Sequence, residues 1–498
     1  KTSPITLTAT QEADGRQEPF ITYTFNRIGG SIGAVTLHND IVDSQKVADH
    51  NITINEAQQR GIGELVFNMD ATQDPSYDNT VYREVKRTAD SVTLEGYDAA
   101  RQLFISKTYT LHPVKNLEGN VLPGSKYLIR LTVSLLNKSP NVQDLRYMGI
   151  FGGSAYPIAK SEPKDTYTHF FYHADGSLEQ EVPSYFTGGI FSTAKARVLE
   201  GPLQDLTYAG VMSQYYATIL LPQDKSNGST VYATRQEFPL AHENNTLVPG
   251  VTVAMGIPNL TMAPNEIKTL TYDIYTGPKF NAYLRDLNLT YPAISDIMAY
   301  GWLVFLSVPM NWLLNLFHGW FGNWGVAIIC MTIVVRALIW PLHKKSYMAM
   351  KRMSLIQPEM AKLKEKYPDE PQKVNMEMMK LYQKYGINPA SGCVPMLIQI
   401  PIFFAFYRVL QYSAELRGQP FCLWMTDLSL PDTVGHLFGI PINILPLIMA
   451  VTMIIQMRMT PQAGERSQRI IMNLMPVMFF LFCYNFASAL ALYWTTQN

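Results

Sequence analysis

Residues 328–345 read IICMTIVVRALIWPLHKK. Most of the stretch suits a lipid bilayer, and Arg336 does not. A guanidinium keeps its charge in proteins, and this one sits eight residues before Lys344, the first of the basic end. Thr332 and Arg336 are four apart and share one helix face. At 1.5 Å per residue, Arg336 lies about 12 Å inward from Lys344. That is deeper than an end residue, although a long side chain can snorkel part of the way. The cost is on the order of 2.5–3.5 kcal/mol. Each large apolar neighbour contributes roughly 0.3–0.6 kcal/mol in return, so the helix still inserts. The energetics permit the charge without explaining it.

Around this stretch the chain changes solvent. Residues 1–290 are polar, rich in Asn, Thr, Tyr and Asp, whereas 300–498 hold the Trp, most of the Met and all four Cys. With 40 basic and 40 acidic residues, net charge points to no nucleic-acid partner. Cys330, Cys393, Cys422 and Cys483 show no CxxC or Cys/His spacing, so small buried thiols are expected, with no metal and no cofactor. The first residue is Lys1, and a signal or anchor segment ahead of it is compatible with that start.

The apolar half reads as a five-span core over 323–498. The first span runs from about Trp324 to Leu342, the second over 393–412 and the third over 440–457. Residues 470–498 are too long for one span of about 20 residues. NFASA (485–489) is a tight turn there, and a last helix is expected to run on past residue 498. Orientation follows the basic residues of short loops. Residues 343–384 carry ten Lys/Arg against five Asp/Glu, and 458–469 carry Arg458, Arg466 and Arg469 against Glu465. Residues 413–439 carry only Arg417 against Glu415, Asp427 and Asp432. The first two loops are therefore cytoplasmic, and 413–439 lies outside with the polar half. Residues 294–320 are apolar but broken by Pro309, Asn311 and Asn315. They suit an amphipathic helix in the outer interface, with Trp302, Trp312 and Trp320 at headgroup level. A further span is the alternative.

Within 343–388, Pro368 and Pro371 divide two helices. Met353, Ile356, Met360, Leu363 and Tyr367 recur at helical spacing before the break, and Val374, Met378, Leu381 and Tyr385 after it. A cytoplasmic helical hairpin follows. Its stripes either pack on each other or, with Met353, Met360 and Met378 beside Lys364 and Lys380, touch lipid headgroups and passing apolar chains.

Residues 1–285 read differently. Short β-prone runs are punctuated by Gly, Asn, Asp and Pro. In YLIRLTVSLLNKSP (127–140), Ile129, Leu131, Val133 and Leu135 alternate with Arg130, Thr132 and Ser134. One large antiparallel sandwich is expected. Large sandwiches often bind or isomerise sugars. A carbohydrate-active protein using this half is therefore the alternative function, and it needs a His with a carboxylate in one cleft. THFFYH (168–173) is the densest His cluster, in no recognisable motif.

The Arg has no acidic partner in any other span, and those spans offer neutral groups instead: Gln399, Gln456, Asn473, Asn485, Ser488, Tyr493 and Thr495. A charge beside neutral polar groups implies water, hence a hydrated groove open to the cytoplasm. A proton relay would want intramembrane carboxylates, and an anion transporter more cations. A groove wet on one side and apolar on the other suits a nascent membrane segment. Small-solute transport is the second rival.

At these residues the chain resembles the YidC family of bacterial membrane protein insertases in its Gram-negative form. The stretches that carry the resemblance are GNWGVAIICMTIVVRALIWPL, MKRMSLIQPEMAKLKEKY, MMKLYQKYGINPASGCVPMLIQIPIFFAFYRVL, ELRGQPFCLWMTDLS, IMNLMPVMFF and LALYW. YTGPK (275–279) resembles the close of that family's periplasmic domain. The resemblance implies a multidomain α+β membrane protein. Its parts are a periplasmic β-supersandwich, an interfacial helix and a five-helix insertase core with a cytoplasmic hairpin, preceded by an anchor helix ahead of residue 1. It implies multi-pass residence in the bacterial inner membrane and insertion of nascent membrane proteins, alone or with the Sec translocon, on chains delivered by ribosomes and targeting factors. Arg336 is implied at the groove's centre, with Thr332, Gln399 and Trp494 at polar or aromatic groove positions; Gln456, Asn473 and Tyr493 join them as candidate substrate contacts. No catalytic residue and no nucleotide are implied, and no P-loop is present. FASAL (486–490) departs from the Phe-Pro-Ser-Gly common in relatives, so the turn before the last helix is expected to differ.

Overall fold

Period two in the sequence becomes a strand with one face sealed. In Leu128–Asn137, Ile129, Leu131, Val133 and Leu135 are fully buried, while Arg130, Thr132 and Ser134 are half-buried. The strand pairs antiparallel with Leu103–Leu111 on one side and Ile267–Pro278 on the other, with Leu131 opposite both Tyr109 and Tyr272. The computed structural model describes residues 4–13, 15–38, 51–56, 60–69, 74–158, 162, 166–188, 193–224, 228–240, 246–258, 260–298, 303–368, 370–386, 394–459 and 466–498, with the side chains of 13, 364, 394–396, 398 and 466–473 left aside. Two compact units emerge: Lys1–Ala299 with Tyr412–Ala414, and Tyr300–Gln411 with Glu415–Asn498.

The first unit is β-rich. Leu128–Asn137 lies inside a nine-stranded antiparallel sheet that runs from Arg83–Arg87 at one edge to Ser177–Glu181 at the other. A six-stranded sheet faces it, and Gly149–Ala155 of that sheet packs on Tyr208–Met212 and Tyr216–Pro222 of the first. Each sheet is apolar on the face it turns to the other, which is the condition for a sandwich. A four-stranded meander over 5–54 adds a third layer of pairing. The unit continues past the expected limit at 285. The helix Asn281–Leu287 and the turn Ile294–Met298 bury Leu284, Leu287, Ile294 and Ile297 completely, so this segment shares the core of the sandwich.

The second unit is helical: α1 (Val304–Phe321), α2 (Trp324–Leu355), α3 (Gln357–Lys366), α4 (Pro371–Lys384), α5 (Val394–Tyr412), α6 (Ile444–Met459), α7 (Arg466–Cys483) and α8 (Ser488–Gln497). Among the described residues, α2 is the one helix long and apolar enough to cross a bilayer, while Ile444–Met459 and Leu474–Cys483 are shorter apolar helices. Apolar side chains point outward: Ile333, Leu338 and Trp340 on α2, Leu447, Val451 and Ile455 on α6, Val477, Leu481 and Phe482 on α7. Such a belt marks a surface that meets lipid or protein. α1 turns Phe305, Val308 and Trp312 outward and buries Ser307, Met310, Asn311 and Leu314; Trp320 is exposed, and Trp302 lies outside the described residues.

Two boundaries differ from the sequence reading. The helix expected over 353–367 is broken at Ile356: α2 runs unbroken through Met353 to Leu355, and α3 restarts at Gln357. Pro358 enforces this, since it lacks an N–H and its ring would strike the carbonyl of Ser354. The span expected from 440 begins at Ile444. Ile440–Asn443 is instead a strand paired with Thr433–Leu437, because the Phe438–Gly439 turn lets it return on the preceding residues.

Candidate functional site

α2 begins where Asn323 accepts the Val326 N–H at 3.1 Å and donates its amide to Phe421 O, also at 3.1 Å. The side chain thereby caps one helix and fastens it to the preceding turn of another segment. Ala327, Ile328, Met331 and Thr332 form the buried face of α2. Thr332 is only 2% exposed, and its hydroxyl donates to Ile328 O at 2.6 Å, one turn back on its own helix. It shapes the wall and presents no free hydroxyl. Arg336, one turn on, is half-buried. Its Nη1 reaches His343 Nε2 at 3.3 Å, and no carboxylate among the described residues acts on it. Tyr493 is its other electrostatic neighbour.

α8 packs against both α2 and α6, and α6 against α7. Tyr493 is 1% exposed, with its ring 4.0 Å from that of Phe406. Its hydroxyl receives the Gln399 amide at 3.4 Å. Trp494 stands between Phe403 (4.9 Å, edge-on) and Phe479 (4.7 Å), which ties α5, α7 and α8 together. Around Tyr493 three buried polar atoms lack a hydrogen-bond partner: Gln399 Oε1, Trp494 Nε1 and Gln497 Oε1. Each costs roughly 1–3 kcal/mol if left dry, so this is where water would settle. Asn498 donates to Thr452 Oγ1 at 3.1 Å and links α8 to α6; Gln456 is half-buried one turn further along α6. The side chain of Asn473 lies outside the described residues.

The structure thus brings Arg336, Gln399, Tyr493 and Trp494 to one neighbourhood, turns Thr332 into its helix, and adds His343 and Gln497. His343 was legible as a ring seven residues after the Arg. Arg408, half-buried within α5, is a second cation in an apolar run, legible as the Arg of FFAFYRVL.

The hairpin is α3 and α4. Tyr385 donates to Glu359 at 2.8 Å and Tyr382 to Met360 Sδ at 3.9 Å. Between the arms lies a cleft of about 360 Å³ whose walls carry Lys362, Lys366, Lys380 and Lys384. Lys380 is exposed and pairs with Glu377 at 2.6 Å. Met378 is half-buried on α4, whereas Met353 belongs to the end of α2. The side chain of Lys364 lies outside the described residues. Among the described residues no His, Cys, Asp and Glu converge as metal ligands.

The β-unit does hold a His near a carboxylate: His112 Nε2 stands 4.0 Å from Asp273. Asp273 is fully buried and already accepts from Arg130 (2.7 and 2.9 Å), Gln223 (2.8 Å) and Tyr291 (2.6 Å). Burial holds His112 below its ordinary pKa, against the raising pull of Asp273 and with Arg130 opposing its charge as well. A carboxylate so fully engaged, beside a His kept neutral, is a structural lock rather than an acid–base pair.

Comparison with known proteins gives consistent results. Residues 17–313 match the family model of the YidC periplasmic domain, and 316–498 that of the 60Kd inner membrane protein. The chain is 31% identical over 501 residues to the membrane protein insertase YidC of Vibrio atlanticus, covering 96% of this chain and 83% of that one. It is 45% identical over 238 residues to the protein of that name from Syntrophobacter fumaroxidans, covering 47% of this chain and 42% of that one. Against several such curated relatives the chain spans about half their length. A solved structure described as an active YidC insertase with its first transmembrane domain resolved aligns over 99% of this chain and 92% of that one. Its identity is 18% and its TM-score 0.37, too low to carry an argument. Likenesses to sugar enzymes, such as a putative aldose 1-epimerase from Escherichia coli at 10% identity, 55% of this chain, 99% of that one and TM-score 0.31, carry none either.

Proposed function

The chain belongs to the YidC family of membrane protein insertases, and on that premise we propose that it inserts nascent inner-membrane proteins through a hydrated groove around Arg336. It is an insertase rather than an enzyme. In this reading α2, α5, α6, α7 and α8 are the five spans, α1 lies in the outer interface, the α3–α4 hairpin is cytoplasmic and the β-unit is periplasmic. Basic residues flank the cytoplasmic ends, as orientation by charge requires.

One observation carries the proposal. A half-buried guanidinium on which no carboxylate among the described residues acts has Tyr493 as its electrostatic neighbour, and buried, unpartnered polar atoms of Gln399, Trp494 and Gln497 lie on the helices that meet at Tyr493, in a unit that turns apolar side chains of α2, α6 and α7 outward. Water in that space lets the polar flank of a client enter the membrane plane while its apolar stretch moves sideways into lipid. The Sec translocon fits as a partner within the membrane, and the ribosome and targeting factors fit on the cytoplasmic side, where the walls of the hairpin cleft carry four lysines beside Glu359 and Glu377.

The test is rescue of a depleted strain. The full chain should restore insertion of a single-span client, and so should a version lacking most of 1–280. A stalled client should crosslink to α5 and α7. Failure of both versions, with the protein present in the membrane, rules the proposal out. Rescue by the full chain alone points to the β-unit as the working part.

A further inference from the structure

A phenylalanine occupies a turn position built for asparagine. Thr433–Leu437 and Ile440–Asn443 pair as an antiparallel hairpin whose two turn residues are Phe438 and Gly439, with φ of 51° and 81°. A two-residue turn with both φ values positive favours Asn, Asp or Gly at its first position. A bulky residue there is an outlier that something must compensate. Nothing among the described residues covers it, since Phe438 is 96% exposed. Leu437, its cross-strand partner Ile440, and Val434 are exposed beside it. Between Thr433 and Asn443 there is no Lys, Arg, Asp or Glu.

The base of the hairpin, by contrast, is tightly held. Asn443 is fully buried, accepts from Thr433 Oγ1 at 2.6 Å and donates to Tyr484 O at 2.7 Å. The Tyr484 hydroxyl donates to Pro441 O. Asp432 accepts the Leu445 N–H at 2.6 Å and the Trp424 indole at 3.0 Å. Tyr484 follows the end of α7, and Leu445 lies in the first turn of α6. The hairpin is therefore clamped without a linker to the ends of two apolar helices.

We propose that Thr433–Asn443 is a lipid anchor, with Leu437, Phe438 and Ile440 seated among the acyl chains of the leaflet at the outer ends of α6 and α7. This rests on the bilayer placement given under Proposed function. Five residues separate Asn443 from Phe438, a reach of about 16 Å, ample for the 5–10 Å depth of an interfacial apolar face. A lone two-stranded hairpin is marginal in water, and acyl chains supply the burial it lacks. Its tip is uncovered on both faces. A protein partner would cover one face and leave the other wet, whereas lipid covers both.

The experiment places p-benzoylphenylalanine at 438 in the full chain. The protein is reconstituted in phosphatidylethanolamine–phosphatidylglycerol vesicles with radiolabelled phospholipid. Position 455 on α6 serves as the acyl-chain control and Leu117, an exposed β-unit residue, as the aqueous one. Lipid adducts at 438 should match those at 455, while 117 gives none above background. Labelling at 455 with none above background at 438 overturns the anchor and leaves the topology standing. So does an adduct at 438 to a client, to a second copy or to the β-unit. Absence of labelling at 455 overturns the bilayer placement and the anchor with it. In a second variant Phe438→Asn keeps a residue suited to the turn and removes the ring; lipid adducts from a probe at 437 should then fall severalfold. Unchanged labelling there overturns the role of Phe438.

Discussion

Arg336→Ala separates charge from architecture. The guanidinium has one described hydrogen bond, to a neutral-capable ring at 3.3 Å, longer than the roughly 2.7–2.9 Å of a strong charge-assisted bond. No carboxylate of the described residues draws on it, so its charge is available to a visitor. An acidic side chain at about 4 Å gains roughly 4 kcal/mol before desolvation at an effective dielectric near 20. Dehydrating both groups in a wet groove removes most of that and leaves on the order of 1.4 kcal/mol, a factor of ten. Arg336→Ala should therefore slow insertion of a client with one Asp in its translocated tail about tenfold. The same client with Asn there should slow less than about twofold. Arg336→Lys, which keeps the charge, should retain much of the activity. Removing an Arg from an apolar helix lowers its own insertion cost by about 2.5–3.5 kcal/mol, so membrane abundance should not fall. The assay is protease protection of radiolabelled clients in proteoliposomes, with quantified insertase. Equal slowing of the Asp and Asn clients refutes attraction by charge and makes Arg336 a structural strut. Loss in Arg336→Lys equal to that in Arg336→Ala points to bidentate guanidinium contacts instead.

Three further outcomes follow from the geometry. Burial pushes the Glu64 carboxyl up to about 6, against the lowering pull of Arg60, Lys107 and the Gly61 N–H. The folded state then binds this proton more tightly than the unfolded one. Its stabilising contribution is present below about pH 4.5 and is lost as pH rises through 6, on the order of 2 kcal/mol; Glu64→Gln should flatten that segment of the melting-temperature profile of the full chain. Gly325→Ala would set a Cβ 2.1 Å from the Phe421 ring and should destabilise the start of α2 by about 1–3 kcal/mol, read as a lower melting temperature in detergent. Asn443→Ala strands the Thr433 hydroxyl and the Tyr484 carbonyl and should cost about 2–4 kcal/mol. Faster protease nicking over 433–443, without cleavage in the β-unit, is the readout.

Much of this protein is legible in its residues because two solvents write different patterns. Alternation at Ile129, Leu131, Val133 and Leu135 announces a sheet with one sealed face, and an unbroken apolar run around Arg336 announces a bilayer helix. The charge of Arg336 and the missing carboxylates point to water before any coordinates are known. Other features depend on long-range contact. Arg336, Gln399, Tyr493 and Trp494 lie in three separate segments, and only the packing of α8 on α2 brings two of those segments together. Thr332 has the spacing of a groove residue, yet its hydroxyl turns back to Ile328, a choice made by burial and not by periodicity. Pro358 shows where α2 must stop, but hydropathy alone could not tell that Ile440–Asn443 returns as a strand instead of opening a span. Local pattern encodes which solvent each face meets. Which polar atoms end up without partners, and so where water and a client can go, is decided only when distant helices close on one another.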